Sequence, residues 1–277
     1  MAPAPASASG AAASQKRSRW RDLAPRVFSA MIMAPLSLAA IWAGGLVWDA
    51  ALTLLATIAV VECVGLTGVA LDSRLALVAI AAIPAAQALY LATGIDTMPL
   101  LAIAAFTIAL VRPRPALAFS VVYVGLGYAA LLLLRESPRG LEDVVFVMVV
   151  VWASDIGAYL TGRLFGGRRL APRLSPGKTW AGAGGALAFA VAAGLGVALA
   201  FGASRGAQYW AEGVAALLSV AAQGGDLLES ALKRHFGKKD SGSLIPGHGG
   251  LLDRVDGLLT AAPVAVLLRE IWHGVLF

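Results

Sequence analysis

The sequence predicts an all-α polytopic membrane protein. Apolar residues make up 59% of its 277 residues, charged residues only 14%, and the mean hydropathy is +0.78. A soluble domain would carry about 25% charged residues. Long uncharged runs recur along the chain, and about 20 apolar residues are enough to cross a bilayer as a helix.

About nine transmembrane helices are expected from these runs, in a single domain that covers residues 27–277. They are predicted at residues 27–47, 50–70, 75–93, 97–111, 116–134, 144–162, 182–202, 210–232 and 257–275. Residues 1–26, which are rich in Ala, Pro and Ser and then basic, are expected to be disordered. The run 27–47 is too long for the apolar core of a cleaved signal peptide. An organellar transit peptide is the alternative for the N-terminal segment, because no acid precedes Asp22.

The fourth predicted span, 97–111, is short and is followed by Pro113 and Pro115. The distribution of Lys and Arg tests it, because cytoplasmic loops carry an excess of basic residues. With nine spans and a cytoplasmic N-terminus, 18 of the 22 Lys and Arg residues lie on the cytoplasmic side; without the fourth span the division is 12 against 10. The nine-span arrangement is therefore favoured, and it puts the two long basic loops, 163–181 and 233–256, on the cytoplasmic face.

Residues 230–256 concentrate the charge of a chain that otherwise avoids it. The stretch contains five Lys or Arg residues, three Asp residues, His235, His248 and several glycines, and it lies between two apolar runs. Its charge lies at one membrane edge, where phosphate chemistry on a lipid would have to occur. His235 is interpreted as a surface residue at a helix end.

Carboxylates on three predicted helices approach this same edge. Asp155 and Asp226 lie about 12 Å inside the cytoplasmic ends of the sixth and eighth helices, at a rise of 1.5 Å per residue. The ninth helix begins with Asp253 and Asp256. One face of the eighth helix carries Asp226, Glu229, Ser230 and Lys233. Carboxylates in a membrane are costly unless they are paired or bind a metal, and oxygen ligands of this kind suit Mg²⁺.

Basic side chains near these acids provide the opposite charge for phosphate oxygens. They are Lys178, Lys233, Arg234, Lys238, Lys239 and Arg254. The glycines around His248 would let backbone N–H groups approach an anion closely. A simpler interpretation is that the basic residues only fix the topology and that Asp226 and Asp253 are paired structurally. Topology alone, however, requires neither buried acids nor a glycine-rich turn.

The second basic loop contains the sequence Ser175-Pro176-Gly177-Lys178-Thr179. Its Gly-Lys-Thr triplet is not a P-loop, because Pro172 stands where the first glycine of that motif belongs and no strand is predicted before it. Ser175 and Thr179 are instead expected to cap the following helix or to contact phosphate. The glycines that open this helix are expected to allow close helix packing.

Glu62 lies in the middle of the second predicted span, about 15 Å from the cytoplasmic edge. An ionisable residue at such a depth is a functional candidate, but a hydrogen-bonded structural role explains it equally well. The neighbouring Cys63 is the only cysteine, which excludes an intramolecular disulfide, and it is expected to pack as a small apolar residue.

Four motifs in residues 230–256 resemble the signature of the phosphatidate cytidylyltransferases, also called CDP-diacylglycerol synthases. They are Ser230-x-x-Lys233-Arg234, Lys239-Asp240, Pro246-Gly247-His248-Gly249-Gly250 and Asp253-Arg254-x-Asp256. Upstream, the stretch that begins Asp155-x-Gly157-Ala158-Tyr159 is similar to the preceding motif of the family. The stretch 175–180 is similar to the family's SPKKTWEG element, except that Gly177 replaces a lysine and Ala181, just after it, a glutamate. The resemblance is strong over residues 150–260.

The resemblance implies that phosphatidate and CTP react to give CDP-diacylglycerol and pyrophosphate. It implies a requirement for Mg²⁺, held by Asp226 and Asp253, and a second cation such as K⁺. The residues that it assigns to catalysis are Asp226, Lys233, Arg234, Asp240, His248, Asp253, Arg254 and Asp256. Those that it assigns to substrate binding are Asp155, Arg163, Ser175, Lys178, Thr179, Ser230, Lys239, Gly249 and Gly250. The catalytic half of the domain would then be residues 144–260.

The same resemblance implies a location and a set of partners. We expect an integral, multi-pass protein of a bacterial inner membrane whose active site faces the cytoplasm. The expected partners are CTP, phosphatidate and membrane lipid, and a homodimer follows by family analogy alone. Nucleic acid is not an expected partner, because membrane topology accounts for the position of the basic residues.

Two other functions account for less of the sequence. A CDP-alcohol phosphotransferase needs the pattern DGxxAR…GxxxDxxxD, into which Asp155-Ile156-Gly157 does not extend. A transporter is the alternative from another class, since Pro84 and Glu62 within apolar spans would fit one. It does not explain acids clustered beside phosphate-binding residues, and the halves of the chain show no repeat.

Overall fold

The computed structural model describes residues 23–94, 97–111, 114–242, 249–271 and 276. This part of the chain forms nine α-helices and one short β-hairpin. In chain order the elements are α1 (Leu23–Ala43), α2 (Gly45–Thr67), α3 (Arg74–Thr93), α4 (Met98–Val111), α5 (Pro115–Glu136), α6 (Gly140–Phe165), β1 (Arg169–Ala171), β2 (Ser175–Thr179), α7 (Trp180–Ala200), α8 (Arg205–His235) and α9 (Leu252–Ile271).

Each predicted span corresponds to one of these helices, and the differences lie at their ends. Helix α1 begins at Leu23, four residues before the predicted start, and α8 is 31 residues long because it continues beyond the predicted run 210–232 at both ends. The rest of the predicted N-terminal segment, residues 1–22, lies outside the described residues. The short fourth element is a helix of 14 residues, Met98–Val111.

Five of the described helices, α2, α3, α5, α6 and α7, are long and apolar enough to cross a membrane. Large apolar side chains on the outside of the bundle are exposed, as expected for a surface that faces lipid tails. Examples are Phe106 at 64% exposure and Leu54 at 61%. The chain is therefore an integral membrane protein. Cys63 is buried within α2, as its sequence context predicted.

Polar contacts at one end of the bundle join the C-terminal ends of α1, α3, α5 and α9. Arg135 Nε on α5 donates to the carbonyl of Ile41 at 3.0 Å, and Arg269 Nη1 on α9 donates to that of Leu133 at 3.1 Å. Tyr90 on α3 donates to Glu136 at 2.6 Å. The opposite end of the bundle contains the C-terminal ends of α2, α6 and α8 and the starts of α7 and α9. We call it the charged end, because the contacts among the predicted site residues are found there.

Close packing of α6 against α7 depends on glycine. A Cβ at Gly157 would lie 2.6 Å from the carbonyl oxygen of Gly185, and one at Gly182 would lie 3.0 Å from that of Ala158. Side chains would therefore force the two backbones apart. The prediction that the glycines opening this helix serve close packing is confirmed for Gly182 and Gly185. This contact holds the start of α7, and the hairpin before it, against the end of α6.

The β-hairpin within the basic loop 163–181 was not predicted. Its strands are antiparallel, with Arg169 opposite Thr179 and Ala171 opposite Ser175. Thr179 then caps α7, because its side chain accepts the backbone N–H of Gly182 at 3.0 Å. The capping role expected for Thr179 is confirmed. The hairpin carries Lys178 to the charged end in a fixed position.

Candidate active site at the charged end

Lys233 joins α8 to α9 at the charged end. Its Nζ donates to Glu229 Oε2 on the same helix at 2.8 Å and to Asp253 Oδ1 on α9 at 2.5 Å. The three side chains are nearly buried, with exposures of 11% for Lys233, 1% for Glu229 and 7% for Asp253. Burial lowers the pKa of Lys233, but the hydrogen bonds from its ammonium to the two carboxylates outweigh burial and raise it above its usual value.

Asp253 receives hydrogen bonds from the loop that precedes α9. Its Oδ2 accepts the backbone N–H of Ser241 at 3.0 Å, the Ser241 hydroxyl at 3.0 Å and the backbone N–H of Gly250 at 2.9 Å. Burial would raise the pKa of Asp253, but the hydrogen bonds from Lys233, Gly250 and Ser241 outweigh it and hold the pKa below the usual value. Gly249 has a φ of +81°, and a Cβ there would lie 2.7 Å from Asp253 Oδ2.

Lys178 and Asp226 form a second ion pair, which joins the hairpin to α8. Lys178 Nζ lies 2.5 Å from Asp226 Oδ2, and the side chains are 23% and 39% exposed. This pair is therefore more accessible than the pair between Lys233 and Asp253. Both predicted metal ligands, Asp226 and Asp253, thus stand beside a lysine in this structure.

Further carboxylates lie close to these pairs. Asp256 is within electrostatic range of Asp226 and Glu229, and Asp155 on α6 is within range of Asp226. No donor among the described residues reaches Glu229 Oε1, although this oxygen is buried. Lys178 and the exposed Arg254 supply positive charge near Asp155.

The carboxylates of this region fit Mg²⁺ by their chemistry, since they offer oxygen ligands and one of these oxygens, Glu229 Oε1, is buried without a hydrogen-bond donor from the described part of the chain. Within the described ranges, no three His, Cys, Asp or Glu side chains are close enough together to hold a metal ion by themselves. Mg²⁺ does not require such a group, because it usually takes one or two carboxylates and fills its remaining positions with water and substrate phosphates.

Other predicted site residues lie at the edge of this arrangement. Arg163 donates to the hydroxyl of Tyr159 at 2.7 Å, and Arg234 Nε donates to the carbonyl of Leu174 in the hairpin turn at 3.4 Å. Lys239 and Asp240 are exposed in the loop after α8. Ser175 lies in β2 and Ser230 is half-buried on α8. His248 lies outside the described residues.

Three residues of this region were not assigned to the site from the sequence. Glu62 on α2 accepts hydrogen bonds from the backbone of Leu251 and Leu252, at 2.8 Å each. Ser241 bonds to Asp253, as described above, and the hydroxyl of Tyr123 donates to the carbonyl of Asp256 at 3.0 Å. Only Glu62 carried a signal in the sequence, its depth in an apolar run, and that signal did not indicate its partners.

The apolar helices and the lysine–carboxylate pairs at one end of the bundle, one pair nearly buried and one partly exposed, define an integral membrane protein with a charged site. Residues 24–272 match the sequence model of the Cytidylyltransferase family, and the chain belongs to that family.

The motifs of residues 230–256 resemble those of phosphatidate cytidylyltransferases, and individual relatives of the chain have that name. The chain is 53% identical over 152 residues to the phosphatidate cytidylyltransferase of Brucella suis. It is 44% identical over 141 residues to that of Pseudomonas aeruginosa and 42% identical over 149 residues to that of Staphylococcus saprophyticus. These alignments cover 54%, 51% and 54% of this chain and 55%, 52% and 56% of the relatives. The chain thus spans about half the length of the curated relatives it matches.

Proposed function

We propose that this protein transfers the cytidylyl group of CTP to phosphatidate, giving CDP-diacylglycerol and pyrophosphate for phospholipid synthesis. The observation that carries the proposal is the arrangement of Lys178 with Asp226 and of Lys233 with Glu229 and Asp253 at one end of an apolar bundle. Both substrates are anionic, so their reaction needs positive charge and metal-binding carboxylates close to lipid. Membership of the cytidylyltransferase family and the names of the relatives support the same reaction.

In this reaction a phosphate oxygen of phosphatidate attacks the α-phosphorus of CTP. A new P–O bond forms, the bond between the α- and β-phosphates breaks, and pyrophosphate leaves with the bonding electrons. The protein therefore has to hold two phosphate groups in line and neutralise their charge. Lys178, Lys233, Arg234 and Lys239 would bind phosphate oxygens, and His248 would bond to the triphosphate.

We propose Asp226 and Asp253 as the residues that would hold Mg²⁺. When bound, Mg²⁺ would reduce the repulsion between the two substrates and stabilise the charge of the leaving pyrophosphate. Asp226 is the more accessible of the two, whereas Asp253 is occupied by Lys233 and three further donors. The second cation, such as K⁺, rests on the family resemblance alone.

The proposed orientation has nine spans, a cytoplasmic N-terminus and the charged end in the cytoplasm of a bacterial cell, with the protein in the inner membrane. The excess of basic residues on that side supports it. Cysteine substitution at Arg205, the first residue of α8 on the opposite side, tests it. A membrane-impermeant thiol reagent should label that site in intact spheroplasts, and labelling only after lysis would contradict the proposed orientation.

A homodimer belongs to the same proposal, and the mass of the purified protein in detergent tests it.

The reaction is tested by incubating purified protein in detergent with phosphatidate, α-³²P-labelled CTP and Mg²⁺. Label should enter the lipid-extractable fraction, and EDTA should prevent this unless Mg²⁺ is restored. Omission of phosphatidate is the control for hydrolysis of CTP. Folded protein that transfers no label under these conditions would contradict the proposal and favour the transporter alternative.

A further inference from the structure

Glu62 lies in α2, outside every motif that carries the family resemblance, yet it holds the segment that leads into α9. Its Oε1 accepts the backbone N–H of Leu251 at 2.8 Å, and its Oε2 accepts that of Leu252 at 2.8 Å and lies 3.1 Å from the hydroxyl oxygen of Ser241. The first N–H groups of a helix have no partner within the helix, and a negative charge is favourable there. Glu62 therefore caps α9 from a different helix.

Two glycines make room for this carboxylate. A Cβ at Gly250 would lie 2.5 Å from Glu62 Oε2, and one at Gly242 would lie 2.9 Å from Glu62 Oε1. Glu62 is 9% exposed, so the loop encloses it almost completely. The carboxylate fits against the loop only because both positions lack a side chain. This explains the two glycines without reference to a bound phosphate.

Ser241 connects Glu62 to the candidate active site. Its hydroxyl oxygen lies 3.1 Å from Glu62 Oε2 and 3.0 Å from Asp253 Oδ2, while its backbone N–H donates to the same oxygen of Asp253. Asp253 in turn bonds to Lys233. The contacts thus run without a break from α2 through the loop and α9 to α8.

A second contact attaches the same loop to α2. The ammonium group of Lys238 donates to the carbonyl of Gly65, near the C-terminal end of α2. The loop is thus held at its beginning by Gly65 and at its end by Glu62. Helix α2 serves as a support for the loop in addition to its place among the apolar helices.

We propose that Glu62 is a positioning residue of the transferase site. It holds Ser241 and the first turn of α9 in place, so that the carboxylate of Asp253 contacts the ammonium group of Lys233. Its effect on catalysis rests on the proposed function, whereas its hold on the loop does not. Glutamine at position 62 keeps the size of the side chain but has a single acceptor oxygen. Whichever way the amide is turned, its NH₂ group faces the N–H of Leu251 or of Leu252, and at least one hydrogen bond is lost.

The test compares the full-length protein with its Glu62→Gln variant in detergent. Hydrogen–deuterium exchange followed by mass spectrometry should show faster exchange in peptides that cover residues 238–252, and little change elsewhere. Asp143→Asn is the matched control, since Asp143 is also a buried acid, 1% exposed, but accepts the hydroxyl of Ser137 near the start of α6, at the other end of the bundle. Its effect on exchange should stay near residues 137–143 and near Leu276, whose backbone also bonds to Asp143.

Kinetics then separate positioning from loss of folded protein. Fewer folded molecules lower only the maximal rate, whereas a displaced Asp253 should also raise the Mg²⁺ concentration needed for half-maximal activity, by about 10- to 100-fold. Asp143→Asn should leave that concentration unchanged. Because Glu62 and Ser241 act on the same carboxylate, Asp253, the effects of Glu62→Gln and Ser241→Ala should be less than additive in the double variant.

The outcomes are distinguishable. Unchanged exchange over residues 238–252 would overturn the hold of Glu62 on the loop. Faster exchange with an unchanged Mg²⁺ requirement would overturn its positioning role. If the wild-type protein transfers no cytidylyl group, the proposed function and the positioning role fail together, and the exchange measurement still decides whether Glu62 holds the loop.

Discussion

Asp226 on α8 lies 2.5 Å from Lys178 at the end of β2, and this ion pair fixes the hairpin against the helix that also carries Glu229 and Lys233. Both side chains are partly exposed, and pairs of this kind contribute about 0–1 kcal/mol to stability. The pair therefore contributes more to the position of two charges than to the free energy of unfolding. Substitutions in this pair can test the function because they should change activity more than stability.

Replacing Lys178 by alanine should impair catalysis with little loss of stability. The variant lacks one positive charge for phosphate, so we expect weaker use of CTP or phosphatidate, with kcat/KM reduced about 10²- to 10³-fold. The melting temperature in detergent should change little, because the pair contributes about 0–1 kcal/mol at most. Steady-state kinetics with each substrate varied in turn provide the measurement.

Arg139→Ala is the control for Lys178→Ala. Arg139 lies 3.3 Å from Glu142 near the start of α6, at the other end of the bundle, where the pair is likewise partly exposed. Its loss should leave kcat/KM for both substrates unchanged. Equal kinetic effects of the two substitutions would assign Lys178 to topology alone.

The Asp226→Asn variant should lose activity while it remains folded. Its amide keeps the shape of the carboxylate but removes the charge that would hold Mg²⁺ and orient Lys178, so we expect a loss of about 10²- to 10³-fold in kcat. Because Asp226 is 39% exposed, the decrease in melting temperature should be smaller than for Asp253→Asn. Transfer of label from CTP measures the rate, and near-normal activity over a range of Mg²⁺ concentrations would exclude Asp226 as a ligand.

Asp253→Asn should differ from Asp226→Asn by its effect on stability. Oδ2 has to remain an acceptor for Ser241 and Gly250, so the new NH₂ group would face the ammonium of Lys233. Breaking one partner of a buried pair costs about 3–5 kcal/mol. We therefore expect loss of activity together with a clearly lower melting temperature. A variant as stable as the wild type would contradict this account of the pair.

The helices were predictable because an apolar run of sufficient length has few alternatives in a membrane. All nine predicted spans correspond to helices, including the short Met98–Val111, for which the distribution of basic residues provided the argument. The ends of α8 were not predictable in the same way, since its last turn leaves the apolar run and is held by the contact between Lys233 and Asp253. The hairpin strands, of three and five residues, are too short for a periodic pattern to reveal.

The sequence indicated charged residues that lie together at the charged end, but not which of them form pairs. The spacing of Glu229 and Lys233 indicated a shared helix face, and these two residues are in contact. The contact between Lys178 and Asp226 joins a hairpin to a distant helix, and no spacing rule reports it. The same is true of Glu62, whose partners Leu251 and Leu252 are apolar residues that act through their backbone N–H groups.

Gly250→Ala should disrupt the loop that precedes α9. A Cβ there would lie 2.5 Å from Glu62 Oε2 and closer still to the Ser241 hydroxyl, both of which are enclosed. Overpacking of this kind costs about 1–3 kcal/mol, and the displaced Ser241 would no longer orient Asp253. We expect a lower melting temperature and a loss of activity. Gly213→Ala in α8 is the control, because no described atom beyond the adjacent turns of its own helix lies within 4 Å of the added Cβ, and alanine favours the helix by about 1 kcal/mol. If Gly250→Ala matched Gly213→Ala in both measurements, the tight enclosure of Glu62 by the loop would be refuted.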